Sequence, residues 1–173
     1  MSRRRKKKPA RLIPLSSGPL PLKFAGQFAA CPLVFSDASR QEHGGLATVI
    51  YTSADLGPQI LTRTVPAIGS NELELQAALM ALDHMTRHFP GQAFALFSDN
   101  LDTVNRLCRL KIQGLPDAII TAHQAADALP LALDQATIIW IPGHAACRGN
   151  AVADQYARLA TNASAVTKGA TSA

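Results

Sequence analysis

The chain has 173 residues, of which 47% are apolar and 17% charged, and it carries a formal net charge of +5. That length suits one domain with flexible ends, the apolar share suffices for a core, and no apolar stretch approaches the roughly 20 residues of a bilayer-spanning helix. The three cysteines, Cys31, Cys108 and Cys147, form no C-x-x-C pair, which argues against a disulfide framework or structural zinc site and for thiols in a reducing compartment.

In chain order, residues 1–30 read as a flexible tail, basic and Pro-containing, with no sustained hydrophobic period. Arg3, Arg4, Arg5, Lys6, Lys7, Lys8 and Arg11 stand there with no acid among them. Without them ten Lys and Arg face twelve Asp and Glu, so the rest of the chain carries about −2. A basic run on a near-neutral body predicts a polyanionic partner, nucleic acid first; a solubilising or targeting tail is the alternative. The apolar Leu12-Ile13-Pro14-Leu15 is too short and Pro-broken for a signal peptide. A cytoplasmic protein is therefore expected, or a nuclear one if a eukaryotic host reads the tail as an import signal.

Three strands come next, Leu33–Asp37, Gly44–Tyr51 and Gln59–Pro66, spaced as an antiparallel meander. Asn71 reads as the N-cap of a helix to about His88, with Leu75, Ala78, Leu79, Leu82 and Met85 as its buried stripe and Pro90-Gly91 as its stop. A fourth strand, Ala93–Ser98, leads into helix Leu101–Leu110, and a further helix is expected from Pro116 to about Leu129. A fifth strand, Ala136–Ile141, precedes a last helix from near Asn150 that buries Val152, Tyr156 and Leu159. The predicted order is βββαβααβα, an α/β fold with a five-stranded mixed sheet flanked by helices. The domain spans 31–161, and residues 162–173 read as a flexible C-terminal tail.

Four acids stand in distinctive settings. Asp37 closes the first apolar run, Asp99 closes Ala93–Ser98, Glu74 lies in the first turn of its helix, and Asp154 is about one turn into the last. If the first and fourth strands pair in parallel, Asp37 and Asp99 leave neighbouring carboxyl ends, where open α/β sheets bind ligands. Each acid also has a plain reading. Glu74 could close a capping box, Asp154 could complement a helix dipole, and Asp37 and Asp99 could be turn residues. Gathered together, such carboxylates repel unless a cation sits among them, and that combination points to a divalent-metal site.

The settings of these acids carry a family resemblance. Ser36-Asp37-Ala38-Ser39, Gly44-Gly45, Glu72-Leu73-Glu74-Leu75-Gln76-Ala77-Ala78, Phe97-Ser98-Asp99, Trp140-Ile141-Pro142-Gly143-His144, Gly149-Asn150 and Ala153-Asp154 resemble, in order and spacing over about 130 residues, type 1 ribonuclease H. The motif style is that of the ribonuclease H domains of retroelement reverse transcriptases. The resemblance implies hydrolysis of the RNA strand of RNA/DNA hybrids by a two-metal-ion mechanism, leaving 5′-phosphate ends. It implies that Asp37, Glu74, Asp99 and Asp154 bind two Mg²⁺ ions, with Mn²⁺ as a substitute, and that His144 assists proton transfer or product release. Ser70 and Asn71 match positions that contact the hybrid's minor groove, and Gly44 and Gly45 match a place where backbone approaches the RNA; capping and strand twist are their plain readings. A monomer is expected, with a polymerase as a candidate partner. The chain departs from the family at Asn100, where serine is usual, and between residues 111 and 135, where Lys111 is the only cation in place of a basic DNA-gripping protrusion. The basic tail is expected to substitute for that protrusion. A nuclease acting on another duplex, and a nucleic-acid-binding module without turnover, are the alternatives.

Overall fold

The computed structural model describes residues 15–28, 30–52, 57–114, 129–143 and 147–166, with side chains described to residue 162 in the last helix. Its elements are α1 (Leu22–Ala25), a 3₁₀ turn (Gly26–Phe28), β1 (Leu33–Arg40), β2 (His43–Tyr51), β3 (Gln59–Pro66), α2 (Ser70–His88), β4 (Phe94–Ser98), α3 (Leu101–Gln113), α4 (Leu129–Gln135), β5 (Ala136–Trp140) and α5 (Arg148–Val166). The expected helix from Pro116 lies outside the described residues as far as 128, and α4 is described over Leu129–Gln135.

The five strands form one mixed sheet in the order β3-β2-β1-β4-β5. β1 runs antiparallel to β2 and parallel to β4, and β4 runs parallel to β5. Side chains alternate between faces, so each strand feeds two cores. Val34, Ile50, Phe94 and Leu96 pack under α2, α3 and α4 with Leu75, Leu79, Leu82, Met85, Leu107, Leu129 and Leu133. The stripe expected on α2 is thus buried. On the other face Phe35, Val49, Ala95 and Phe97 meet Ala153 of α5 and Leu20, Phe24 and Phe28 of the N-terminal segment. Phe35 and Phe97 stack at 4.9 Å, and Phe28 meets Phe97 edge-on at 5.4 Å.

The last helix corrects the expected packing. Its buried side chains are Asn150, Ala153, Ala157, Ala160 and Thr161; Val152 and Tyr156 are half-buried, and Leu159 is 54% exposed. The reason is close approach. A Cβ on Gly45 of β2 would strike the Ala157 carbonyl, and one on Gly149 would strike the Phe35 ring. Small residues let helix and sheet touch, and larger ones are displaced to the flanks. Thr64 on β3 fixes the depth of the helix by donating to the Ala160 carbonyl at 2.7 Å.

Residues 15–28, which composition places in a tail, lie across the head of α5 instead. Leu20 is 3% exposed. The Pro19 carbonyl accepts from the Gly149 amide at 3.0 Å and from Cys147 Sγ at 3.3 Å. Ser16 accepts from Arg148 twice, at its hydroxyl from the backbone N–H (3.1 Å) and at its carbonyl from Nε (3.0 Å). Three of these four bonds end on main-chain carbonyls.

Candidate active site

The register of β1 and β4 builds the site. Their last paired residues are Phe35 and Phe97. Two positions further, Asp37 and Asp99 therefore stand abreast where β4 has ended. β1 does not end at Asp37 as expected but continues to Arg40, because β2 pairs with it all the way from Leu33↔Tyr51 to Arg40↔Gly44. Asp37 is thus fixed inside a strand, with Oδ1 accepting from the Ala38 amide at 2.7 Å.

Glu74 arrives from α2. That helix starts at Ser70 with Gly69 as N-cap and no side-chain cap, so Asn71 is a first-turn residue and not the expected cap. Glu74 is 9% exposed and Asp37 5%. Asp37, Glu74 and Asp99 each place a carboxylate oxygen within 4.8 Å of the others. Burial, followed by the charges of Asp99 and Asp154, raises Asp37 to about 7. Burial, followed by the charges of Asp37 and Asp99, raises Glu74 to about 9. The buried pair therefore holds back a proton at neutral pH, and Glu74 Oε2 is buried with no hydrogen-bond partner. An orphaned buried oxygen among three converging carboxylates is a donor set suited to a hard divalent cation, and Mg²⁺ or Mn²⁺ fits it.

Two residues that sequence reasoning did not assign hold Asp99 in place. Asn150 Nδ2 donates to Asp99 Oδ2 at 3.2 Å, and Trp140 Nε1 donates to the Asp99 carbonyl at 3.0 Å. The spacing of Asn150 and Asp154, four apart on α5, was the available signal, since residues at i and i+4 share a helix face. Gly143 lies against the same carboxylate, with a Cβ there falling 3.1 Å from Asp99 Oδ2.

Asp154 stands apart from the trio. Its charge is felt at Asp37, but its side chain is 39% exposed and pairs with Arg158 at 2.9 Å. Ser70 and Asn71 are exposed at the head of α2. Gly44 and Gly45 are buried, and both are closely packed against neighbouring side chains and backbone. A Cβ on Gly44 would lie 2.5 Å from Leu73 and 2.9 Å from Val65, and Gly45 is filled by α5. His144 and the basic residues Arg3 to Arg11 lie outside the described residues, and so does any test of their roles by position.

Comparison with known proteins agrees with this architecture. The N-terminal RNase H domain of a Mycobacterium tuberculosis protein, solved as a maltose-binding-protein fusion, superposes with a TM-score of 0.58 at 18% identity, over 80% of this chain and 99% of that one. RNase H1 from the archaeon Halobacterium salinarum gives 0.54 at 17% identity, over 76% and 98%. LC11-RNase H1, solved in complex with an RNA/DNA hybrid, gives 0.59 at 14% identity, over 78% and 99%. The prototype foamy virus protease-reverse transcriptase gives 0.58 at 16% identity, over 84% of this chain and 22% of that one. A search of curated protein sequences finds no significant match. Among the described residues no helix is long and apolar enough to cross a membrane. The RNase H family model matches residues 31–162 and the five-stranded mixed sheet is that of the solved RNase H structures, so the chain belongs to the RNase H family.

Proposed function

We propose that the protein is a metal-dependent endoribonuclease that hydrolyses the RNA strand of RNA/DNA hybrids. The observation that carries this reading is the trio of buried Asp37 and Glu74 with half-buried Asp99, whose oxygens converge within 4.8 Å while Glu74 Oε2 lacks a hydrogen-bond partner. Family membership and a neighbour solved with an RNA/DNA hybrid support the choice of substrate.

In this reading Asp37, Glu74 and Asp99 hold two Mg²⁺ ions, or Mn²⁺, with Asp154 completing the set from the flank. Bound ions supply polarisation of the attacking water and offset charge at the scissile phosphate. The chain's own contribution is to fix the acids before substrate arrives. Asn150 and Trp140 hold Asp99, and the Ala38 amide holds Asp37. His144 moves a proton at the leaving oxygen or assists product release, and 5′-phosphate products result. Ser70 and Asn71 meet the groove of the duplex, where 2′-hydroxyls are displayed. The basic tail adds sequence-independent phosphate contacts. A monomer suffices for all of these steps, and the likeness to one domain of a reverse transcriptase makes a polymerase a candidate partner.

The test incubates the full chain with labelled RNA/DNA hybrid, double-stranded RNA and double-stranded DNA, with Mg²⁺ or with chelator, beside Asp99→Asn. Chelator-sensitive cutting of the hybrid alone, lost in the variant, is expected. Cutting of another duplex, or tight binding without cutting, overturns the reading in favour of a different nuclease or a binding module.

A further inference from the structure

We propose that Asn100 is a positioning residue: it clamps Asn71 so that the Asn71 amide nitrogen is the group offered, as a hydrogen-bond donor, to the minor-groove edge of a bound duplex. The inference rests on the nuclease reading above and adds to it a device in this chain's own residues.

A side-chain amide has an acceptor end and a donor end, and its hydrogen bonds decide which end points where. Asn100 is the N-cap of α3, and its Oδ1 accepts from the Thr103 amide at 2.9 Å. A backbone N–H can only donate, so Oδ1 must face it. That leaves Asn100 Nδ2 for its other contact, Asn71 Oδ1 at 3.0 Å. A donor can face only an acceptor, so the orientation of Asn71 follows from the cap of a different helix. Its oxygen is engaged by Asn100, and its nitrogen, with two hydrogens, is what it has left to offer.

The location matters as much as the orientation. Asn71 is exposed in the first turn of α2, three residues before Glu74, and Asn100 directly follows Asp99. The bridge therefore joins α2, which carries Glu74, to the residue that directly follows Asp99. Arg106 and Glu72 tie the same two helices nearby at 2.6 Å; that pair and the Asn71–Asn100 bond are both exposed, so the asparagine bridge acts by setting the orientation of an amide and not by stiffening the helices. Every base pair presents acceptors in the minor groove. A fixed donor serves there whatever the sequence, whereas a freely rotating amide would present its oxygen part of the time and meet acceptor with acceptor.

Serine is a good N-cap, so Asn100→Ser keeps the α3 cap and removes only the bridge. Hybrid cleavage is measured for the full-length wild type, Asn71→Ala, Asn100→Ser and the double variant, with Mg²⁺ titrations and melting curves alongside. Asn71→Ala is expected to raise KM about tenfold and Asn100→Ser about fivefold, the size of one net hydrogen bond. The double variant is expected to match Asn71→Ala, because Asn100 acts through Asn71. The Mg²⁺ midpoint, kcat and melting temperature of Asn100→Ser should stay near wild type. The proposal is overturned if the single effects multiply in the double variant, if either single variant leaves KM unchanged, or if Asn100→Ser shifts KM and the Mg²⁺ midpoint together. A wild type that cuts hybrid while the cycle is multiplicative removes only the role of Asn100; a wild type that neither binds nor cuts hybrid removes the nuclease reading and this inference with it.

Discussion

The buried acids and Asp154 occupy opposite regimes of the same site. Asp37 and Glu74 are shut in beside Asp99, have their proton affinity raised by burial first and by neighbouring carboxylates second, and have no cation of their own among the described residues. Asp154 is 39% exposed and already neutralised by Arg158. An exposed ion pair of this kind is worth only about 0.2–1 kcal/mol, so Asp154 can leave it easily. The trio is a fixed mould whose internal repulsion is relieved only by a proton or a metal ion. On the proposed metal-dependent reading Asp154 would be an adjustable ligand with a comfortable alternative, and the site would grip its ions from one side and adapt to them from the other.

The largest effect should come from breaking the mould. Asp99→Asn removes a charge that no neighbour can replace, and kcat on hybrid should fall about a thousandfold, the several kcal/mol expected of lost metal-centred stabilisation. A fall below tenfold in single-turnover assays would contradict the fixed role. Asp154→Asn should cost much less, about tenfold, and should recover as Mg²⁺ is raised; a loss that no metal concentration restores would place Asp154 with the trio.

A third outcome sharpens the contrast through pH. Asp37, raised to about 7, and Glu74, raised to about 9, keep protons in the folded chain that the unfolded chain releases near 3.8 and 4.5. Their contribution to the stability of metal-free protein is therefore fullest below about pH 4 and is lost as pH climbs through 7 towards 9. Mg²⁺ should raise the melting temperature by several degrees at pH 8 and by much less at pH 5.5. Equal shifts at the two values would sever metal binding from proton release. The smallest effect belongs to the tail. Removing residues 1–11 should raise KM severalfold at moderate salt and flatten its salt dependence while leaving kcat near wild type; an unchanged salt slope would free the tail from substrate binding.

Most of the sheet was legible because strands announce themselves by apolar, β-branched runs and alternation, while the parallel pairing of β1 with β4 entered the sequence reading as a condition that the structure meets. The neighbourhood of Asp37 and Asp99 followed from that condition, since both leave strand ends, whereas Glu74 joined them through the motif resemblance and its place in the first turn of α2. What escaped depended on distances that a sequence does not encode. Asn71 looked like a cap, but Gly69 takes that position and Asn71 bonds Asn100, 29 residues away. Leu159 looked buried, but the close fit of α5 over Gly45 and Gly149 turned the alanines inward. Asn150 was read as a helix start and a motif residue, but not as the partner of Asp99, which lies 51 residues earlier.

The segment from Ser16 to Phe28 escaped for a different reason, and its bonding has a practical consequence. Its hydrogen bonds to the head of α5 end mostly on main-chain carbonyls, which nearly any residue could supply, and only Leu20, Phe24 and Phe28 mark its packing in the sequence. The family match begins at residue 31, after this brace has ended. A fragment cloned from that boundary would keep every recognisable motif yet lose the splint that steadies the helix bearing Asn150 and Asp154. The edge of homology and the edge of the folded body are here two different places.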